Sequence, residues 1–238
     1  TMIQDLLGRG YRFTTLDDPG PDTVTITFDD GYYNNVLFTE LSETYRIPYV
    51  IFLAAYYNLT GAGFPWFVNQ GEYYSQVQTF DLYKYHRELQ DSPHPADTSD
   101  VDRPMTFTEL EAIGKSDLVE FGCHGFYHQP LSPAYKNYLH QEQELALKCI
   151  DEQIGQRPRY YSLANGIYSK RVVRELLKTF DRVFTTEGLP FQPKDQVVHR
   201  ITLINPNIQG PLVEQIDRHL IAIRRMKRTF RTFRRLRL

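Results

Sequence analysis

Two clusters of side chains in this sequence could do chemistry. The first is Thr27-Phe28-Asp29-Asp30-Gly31, where a β-rich run gives way to a helical pattern. Two carboxylates at the C-terminal end of a buried strand are costly unless paired or metal-bound. Side chains alternate along extended chain, so the two point differently and can hold different jobs: one can take a cation while the other faces a substrate water. The plain alternative is that one carboxylate caps the following helix and Gly31 makes the turn. The second cluster is His124-Gly125-Phe126-Tyr127-His128, again at a strand end. Histidines four apart meet on one face if the segment is helical or turn-like, which is the spacing of shared metal ligation. A solvated helix face is the alternative. Two imidazoles and one carboxylate make an open first shell for Zn²⁺ or a similar divalent ion, with room for water.

The elements that must position these groups alternate between strands and helices, the pattern of an α/β protein with a mainly parallel sheet. Strands are expected over residues 23–28, 49–54, 118–122, 160–164, 182–185 and 197–204. Helices are expected over 31–46, 106–115, 132–153 and 169–180. Thr106 and Glu109 have the spacing of a capping box, and Ser169 is a plausible N-cap. At the C-terminal mouth of such a sheet or barrel, Asp29-Asp30 and the histidine pair would converge.

Between Tyr56 and Met105 the rhythm breaks. This stretch is rich in aromatics, among them Tyr56, Tyr57, Phe64, Trp66, Phe67, Tyr73, Tyr74 and Phe80, and then turns polar and Pro/Asp-rich. It is too long for an ordinary connection and reads as an insertion, about 56–105, holding one or two helices. Its rings could form a sugar-stacking wall over a site or a small satellite core.

Together these motifs resemble the polysaccharide deacetylases with the NodB homology domain. The resemblance runs from about Thr23 to Asn205 and includes Thr-Phe-Asp-Asp-Gly and His-x-x-x-His followed by Gln129-Pro130-Leu131-Ser132. It extends to Met105–Leu110 leading into Val119–His124, and to Tyr161–Tyr168 with Phe184–Gly188 beyond. It implies a distorted (β/α)7-type barrel, here with the aromatic insertion and a basic C-terminal helix. It implies that Asp30, His124 and His128 hold a divalent metal, Zn being the expectation, with Co, Ni or Mn as alternatives. Asp29 would be the general base on a metal-bound water that attacks the N-acyl carbonyl of an amino sugar. A backbone N–H of the loop at Asn165 would stabilise the oxyanion.

Three departures from the family pattern stand out. Many members carry an arginine, then Pro-Tyr, in the third motif, the arginine orienting the catalytic aspartate. Here Tyr161-Ser162-Leu163-Ala164-Asn165-Gly166 has neither arginine nor proline, and is nearest to the subgroup that writes Phe-Ala-Tyr-Pro-x-Gly. Arg200 resembles the arginine of an Arg-Ile pair in that subgroup. The Leu-x-x-His motif of the general acid is not evident, and His199 is the nearby candidate. Gly125 stands where the family has Ser or Thr.

The expected substrate is an amino-sugar-containing glycan or a lipid-linked saccharide. An N-deformylase, a peptidoglycan deacetylase and a catalytically weak carbohydrate-binding homologue are the alternatives.

Composition bounds the rest. The 238 residues suit one domain or two small ones, and 41% hydrophobic with 24% charged residues is ordinary for a globular protein. Two cysteines make no disulfide scaffold, so a reducing compartment is the default. Cys123 reads as a buried structural thiol; His86, His94, His140 and His219 lack motif context and read as solvated. The net charge of −2 hides an asymmetry: eight basic and no acidic residues occur from Arg224 to Leu238. Setting those aside leaves 19 of the 27 basic residues against 29 acidic ones, a body of −10. An acidic body argues against nucleic acid as a partner.

Domain 1–210 would be catalytic. Residues 211–238 repeat apolar side chains at three- and four-residue steps, the pattern of a basic amphipathic helix. It could lie on an anionic membrane or pack on an acidic body. A cytoplasmic location, with peripheral contact to the inner membrane face through Arg224–Leu238, is the expectation.

Overall fold

The computed structural model describes residues 2–68, 70–89, 101–186 and 195–201. Strand β1 (Arg12–Phe13) and helix α1 (Met2–Gly8) precede β2 (Thr23–Val24), and β1 pairs with β2 in a small parallel sheet. The main sheet is built from β3 (Ile26–Phe28), β4 (Tyr49–Leu53), β5 (Val119–Cys123), β6 (Tyr160–Ser162), β7 (Arg182–Thr185) and β8 (Val197–His199). Its six strands are hydrogen-bonded in that order and all neighbours are parallel. This is the curled parallel sheet of the expected distorted (β/α) barrel. β4 is buried along its whole length, as a central parallel strand covered on both faces requires, and its sequence Tyr-Val-Ile-Phe-Leu is continuously apolar.

Several expected elements are displaced. The run 23–28 divides at Thr25, whose hydroxyl donates to the Thr14 carbonyl at 2.9 Å. The strand expected at 118–122 runs one residue further, to Cys123, which is fully buried. The helix expected at 31–46 is a 3₁₀ turn, Tyr33–Asn35, followed by α2 (Val36–Tyr45). The helix expected at 132–153 begins only at a 3₁₀ turn, Lys136–Tyr138, and then runs as a long helix, Leu139–Ile154. Pro133 disfavours helical backbone at Ser132. Tyr135 and Tyr138 are drawn onto the insertion instead: Tyr138 stacks on Tyr83 at 4.2 Å and its hydroxyl donates to Asp81, while the Tyr135 hydroxyl reaches the Thr79 carbonyl.

Among its described residues the insertion holds four short helices, α3 (Ala55–Thr60), α4 (Pro65–Val68), α5 (Gln70–Ser75) and α6 (Leu82–Glu88), where one or two are expected from the sequence. Ala54, Tyr57, Phe64, Trp66, Tyr73 and Phe80 form a satellite core beside the main one. His86 belongs to it. Far from being solvated, it is 5% exposed, stacks on Tyr127 and lies 2.9 Å from the Tyr57 hydroxyl. Burial lowers its pKa to about 4, so the ring is neutral. His140, by contrast, is exposed as expected and pairs with Glu144.

The chain returns to the main sheet through α7 (Phe107–Ile113), whose Thr106–Glu109 capping box forms as its spacing predicts. Glu109 also receives both Nη atoms of Arg103, at 3.0 and 2.8 Å. The following helices are α8 (Leu139–Ile154) and α9 (Lys170–Leu176), the latter capped by Ser169. No helix among the described residues is long and apolar enough to cross a membrane. His94, His219, the domain boundary at 210 and the basic segment from Arg224 to Leu238 lie outside the described residues.

Candidate metal centre

The aspartate pair follows β3 directly. Asp30 has φ 70 and Gly31 φ 71, two consecutive left-handed residues that turn the chain sharply off the strand. Asp tolerates this backbone better than most side chains. Gly31 also needs its missing side chain, because a Cβ would meet Leu53 Cδ2 at 2.8 Å and Asn58 Nδ2 at 2.9 Å. Asn58 is buried and donates to the Gly31 and Met105 carbonyls, locking the turn against the insertion.

The histidine pair follows β5. Residues 124–128 form a bent loop, so of the helical and turn-like readings of the four-residue spacing it is the turn-like one that holds. Gly125 at φ 88 and His128 at φ 60 bend it. The loop is zipped to the neighbouring segment through His124 N–H to the Leu53 carbonyl and through Ala55 and Tyr56 N–H to the Gly125 and Phe126 carbonyls. Both rings are buried, at 2% and 4% exposure.

Asp30, His124 and His128 thus offer three ligand atoms within 4.8 Å of one another. Asp30 Oδ1 stands 3.5 Å from His124 Nε2 and 3.4 Å from His128 Nε2. Ligands about 2.0–2.1 Å from zinc at tetrahedral angles stand about 3.3–3.4 Å apart. Asp30 Oδ1 is buried without a hydrogen-bond partner, an orphan that a bound cation would satisfy. His124 Nδ1 lies 2.8 Å from the Ser162 carbonyl, which sets its proton there and leaves the Nε2 lone pair facing Asp30. Burial pushes the His128 pKa well down and that of Asp30 up to about 6, the latter reinforced by the charge of Asp29. The donor set fits a divalent metal of the zinc type.

Asp29 lies on the other side of the cleft floor. Its Oδ2 is 3.8 Å from His124 Nε2. Arg200, just past β8, donates from Nη1 to Asp29 Oδ1 and from Nη2 to Asp29 Oδ2, both at 2.7 Å. Burial raises the Asp29 pKa, but the Arg200 guanidinium outweighs it and holds this carboxyl well below the usual carboxylate range. Arg200 Nη2 also donates to Ser162 Oγ at 2.7 Å and Nη1 to Thr27 Oγ1 at 3.2 Å. The arginine absent from residues 161–166 is therefore supplied from another strand, and the short Ser162 side chain leaves room for it.

A cleft of about 220 Å³ opens over these groups. Tyr32, Trp66, Phe67, Tyr73 and Tyr74 form one wall and Leu163, Asn165, Gly166 and Thr186 the other. The insertion's inner rings make the satellite core, and Phe67 and Tyr74 face the cleft, where a sugar-stacking wall would have to stand. Asn165 has left-handed backbone (φ 53), and its side chain donates to Tyr73 Oη at 2.8 Å. Tyr73 Oη is also 3.4 Å from His128 Nδ1. The Tyr32 hydroxyl accepts from Trp66 Nε1 at 2.6 Å and donates to the Asp30 carboxylate.

Sequence reasoning singles out neither Tyr32 nor Ser162, and Tyr73 only as one ring of the insertion. Ser162 and Tyr73 join the site through Arg200 and Asn165, distant along the chain, while Tyr32 reaches Asp30 two residues away. His199 is not among the cleft-lining residues; its Nδ1 lies 2.6 Å from Thr185 Oγ1, one residue short of Arg200 on the alternating strand.

A curled parallel α/β sheet with two histidines and two adjacent aspartates at the C-terminal edge of its strands is an arrangement that could hold a metal for hydrolysis. The sequence matches the polysaccharide deacetylase family over residues 17–181, and the chain belongs to that family. Membership marks it as a hydrolase acting on acyl groups of carbohydrates.

Solved structures agree in fold. IcaB from Ammonifex degensii superposes with a TM-score of 0.60 at 17% identity, over 86% of this chain and 82% of that one. A de-N-acetylase from Aggregatibacter actinomycetemcomitans gives 0.61 at 17%, over 90% and 86%. The Streptococcus pyogenes deacetylase PplD, solved with acetate, gives 0.60 at 15%, over 90% and 83%. No curated protein sequence is matched.

Proposed function

We propose that this protein removes an N-acetyl group from an amino sugar of a glycan, with Asp29 as general base and with Asp30, His124 and His128 holding a divalent cation. The observation that carries the reading is the orphaned Asp30 Oδ1 between two imidazole Nε2 atoms, with an ionised Asp29 beside it. A cation of the zinc type, when bound, supplies Lewis acidity that polarises the acyl carbonyl and makes water a nucleophile near neutral pH.

The chain's own groups do the remainder. Asp29 takes the proton of the attacking water through a carboxylate whose charge and orientation Arg200 sets. The Asn165 backbone N–H is the proposed donor to the oxyanion, a contribution typically worth about 3–4 kcal/mol. Asp29, protonated in that step, can return the proton to the leaving amine nitrogen.

Two results test this reading. Purified protein should contain about one divalent ion, release acetate from N-acetylated glycan oligomers, lose that activity to a chelator and regain it with Zn²⁺ or Co²⁺. Metal without turnover on any N-acylated sugar would favour a carbohydrate-binding homologue; absence of metal would sink the ligand assignment. The second result concerns the outer rings. Phe67 and Tyr74 line the cleft yet remain 50% and 56% exposed, as a platform for the apolar face of a pyranose requires. Tyr74→Ala should raise KM for an oligomeric substrate about tenfold with kcat nearly unchanged, the pattern of lost uniform binding. A fall in kcat at constant KM would contradict it.

A further inference from the structure

Beside the histidine loop lies a carboxylate that takes no part in the chemistry above. Glu142, in the first turn of α8, is 0% exposed. Its Oε1 accepts the Tyr127 N–H at 3.0 Å and its Oε2 the Gln129 N–H at 3.2 Å, so its two oxygens engage the amides on either side of His128. Gly125 completes the fit: at φ 88 it favours glycine, and a Cβ there would run into Glu142 Oε2. This accounts for glycine at the position where the family has Ser or Thr.

Buried carboxylates are costly unless their oxygens are matched, and buried amides equally so. Here each satisfies the other. Residues 124–129 belong to no helix or strand apart from His124 N–H pairing with Leu53, so the Tyr127 and Gln129 amides turn to a side chain.

We propose that Glu142 is the positioning residue of the metal centre: its carboxylate holds the 125–129 loop in the left-handed bend that keeps His128 Nε2 facing Asp30. The inference rests on reading Asp30, His124 and His128 as a metal site. Glu142 touches neither substrate nor cation; it acts through the backbone.

The test titrates the full chain with Zn²⁺ against a competing chelator and records the Co²⁺ d–d spectrum, for wild type, Glu142→Gln, Glu142→Asp and Ile150→Val. Glu142→Gln turns an acceptor into a donor facing an amide. It should weaken Zn²⁺ about 10–100-fold, the usual effect of losing an outer-shell partner, and shift the Co²⁺ band. Glu142→Asp keeps the acceptor chemistry and should fall between. Ile150→Val, fully buried in the same helix, should lower the melting temperature and leave affinity and spectrum alone. Should Glu142→Gln fail to fold, Glu142→Asp carries the test by the same readouts. Wild-type affinity in a folded Glu142 variant overturns the inference, as does affinity that simply tracks melting temperature across the set. A wild type that binds neither ion overturns the metal centre itself, and the two failures are thereby told apart.

Discussion

Asp29→Asn should leave a folded protein that still binds its cation and releases acetate about 10³-fold more slowly, within the 10²–10⁴ that a positioned general base contributes. The substitution is nearly isosteric and spares all three ligand atoms, Asp30 Oδ1 and the two Nε2 atoms. What it removes is an acceptor that is ionised across the working pH range because Arg200 holds it so. The amide that replaces it cannot take a proton from water, and half of it presents donors to a guanidinium that is itself only a donor. The check is acetate release with metal content and melting temperature measured on the same preparations. Turnover within tenfold of wild type, with metal bound, would place the base elsewhere. Lost metal would show Asp29 to be a ligand instead. Loss of turnover alone would also separate an enzyme from a binding homologue, whose wild type would have no turnover to lose.

The groups behind that result differ in how far they can be seen from sequence. Asp29, Asp30, His124 and His128 are legible because each pair is nearly contiguous and chemically conspicuous, and because both follow β-rich runs that must lie side by side in a parallel sheet. The strand cores and the Thr106–Glu109 cap are legible for the same reason: hydrophobic continuity and capping chemistry are local.

What could not be read depends on closure in space. Arg200 and Asp29 are 171 residues apart, and their pairing follows only once the sheet curls enough to bring the ends of its two edge strands together. The spacing of the histidines leaves helix and turn open, because periodicity cannot see that Glu142 supplies acceptors from α8. Tyr135 and Tyr138 fit a helical pattern yet turn onto the insertion, Tyr138 onto the Tyr83 ring and Tyr135 onto the Thr79 carbonyl, a tertiary preference that overrides a local one. Asp30, His128 and Asn165 all sit in left-handed backbone; their types are the ones enriched there, but most residues of those types are not left-handed, so the sequence does not mark these three. Strain of this kind clusters at sites where the surrounding structure over-determines the chain.

The edge-to-edge pairing itself gives the second large effect. β3 and β8 stand at opposite ends of the strand order, and Arg200 joins them through Asp29, Thr27 and Ser162. In Arg200→Met the desolvation that raises the Asp29 pKa acts without its main opponent. A base must be deprotonated to work, so the acid limb of kcat/KM should move to higher pH and activity at neutral pH should fall about 10²-fold. Arg200→Lys should recover only part, since an ammonium offers a point charge in place of a bidentate fork.

Stability carries the same sign. A carboxylate with a depressed folded pKa stabilises above its unfolded value, about 3.9, and that contribution is lost as pH falls toward the folded one. Removing the arginine should therefore cost up to about 3 kcal/mol near pH 7, and the gap from wild type should narrow in acid. Denaturant titrations of the metal-free proteins at neutral and acidic pH measure the gap; one that widened on acidification would show that Asp29 is not the partner whose ionisation Arg200 sustains.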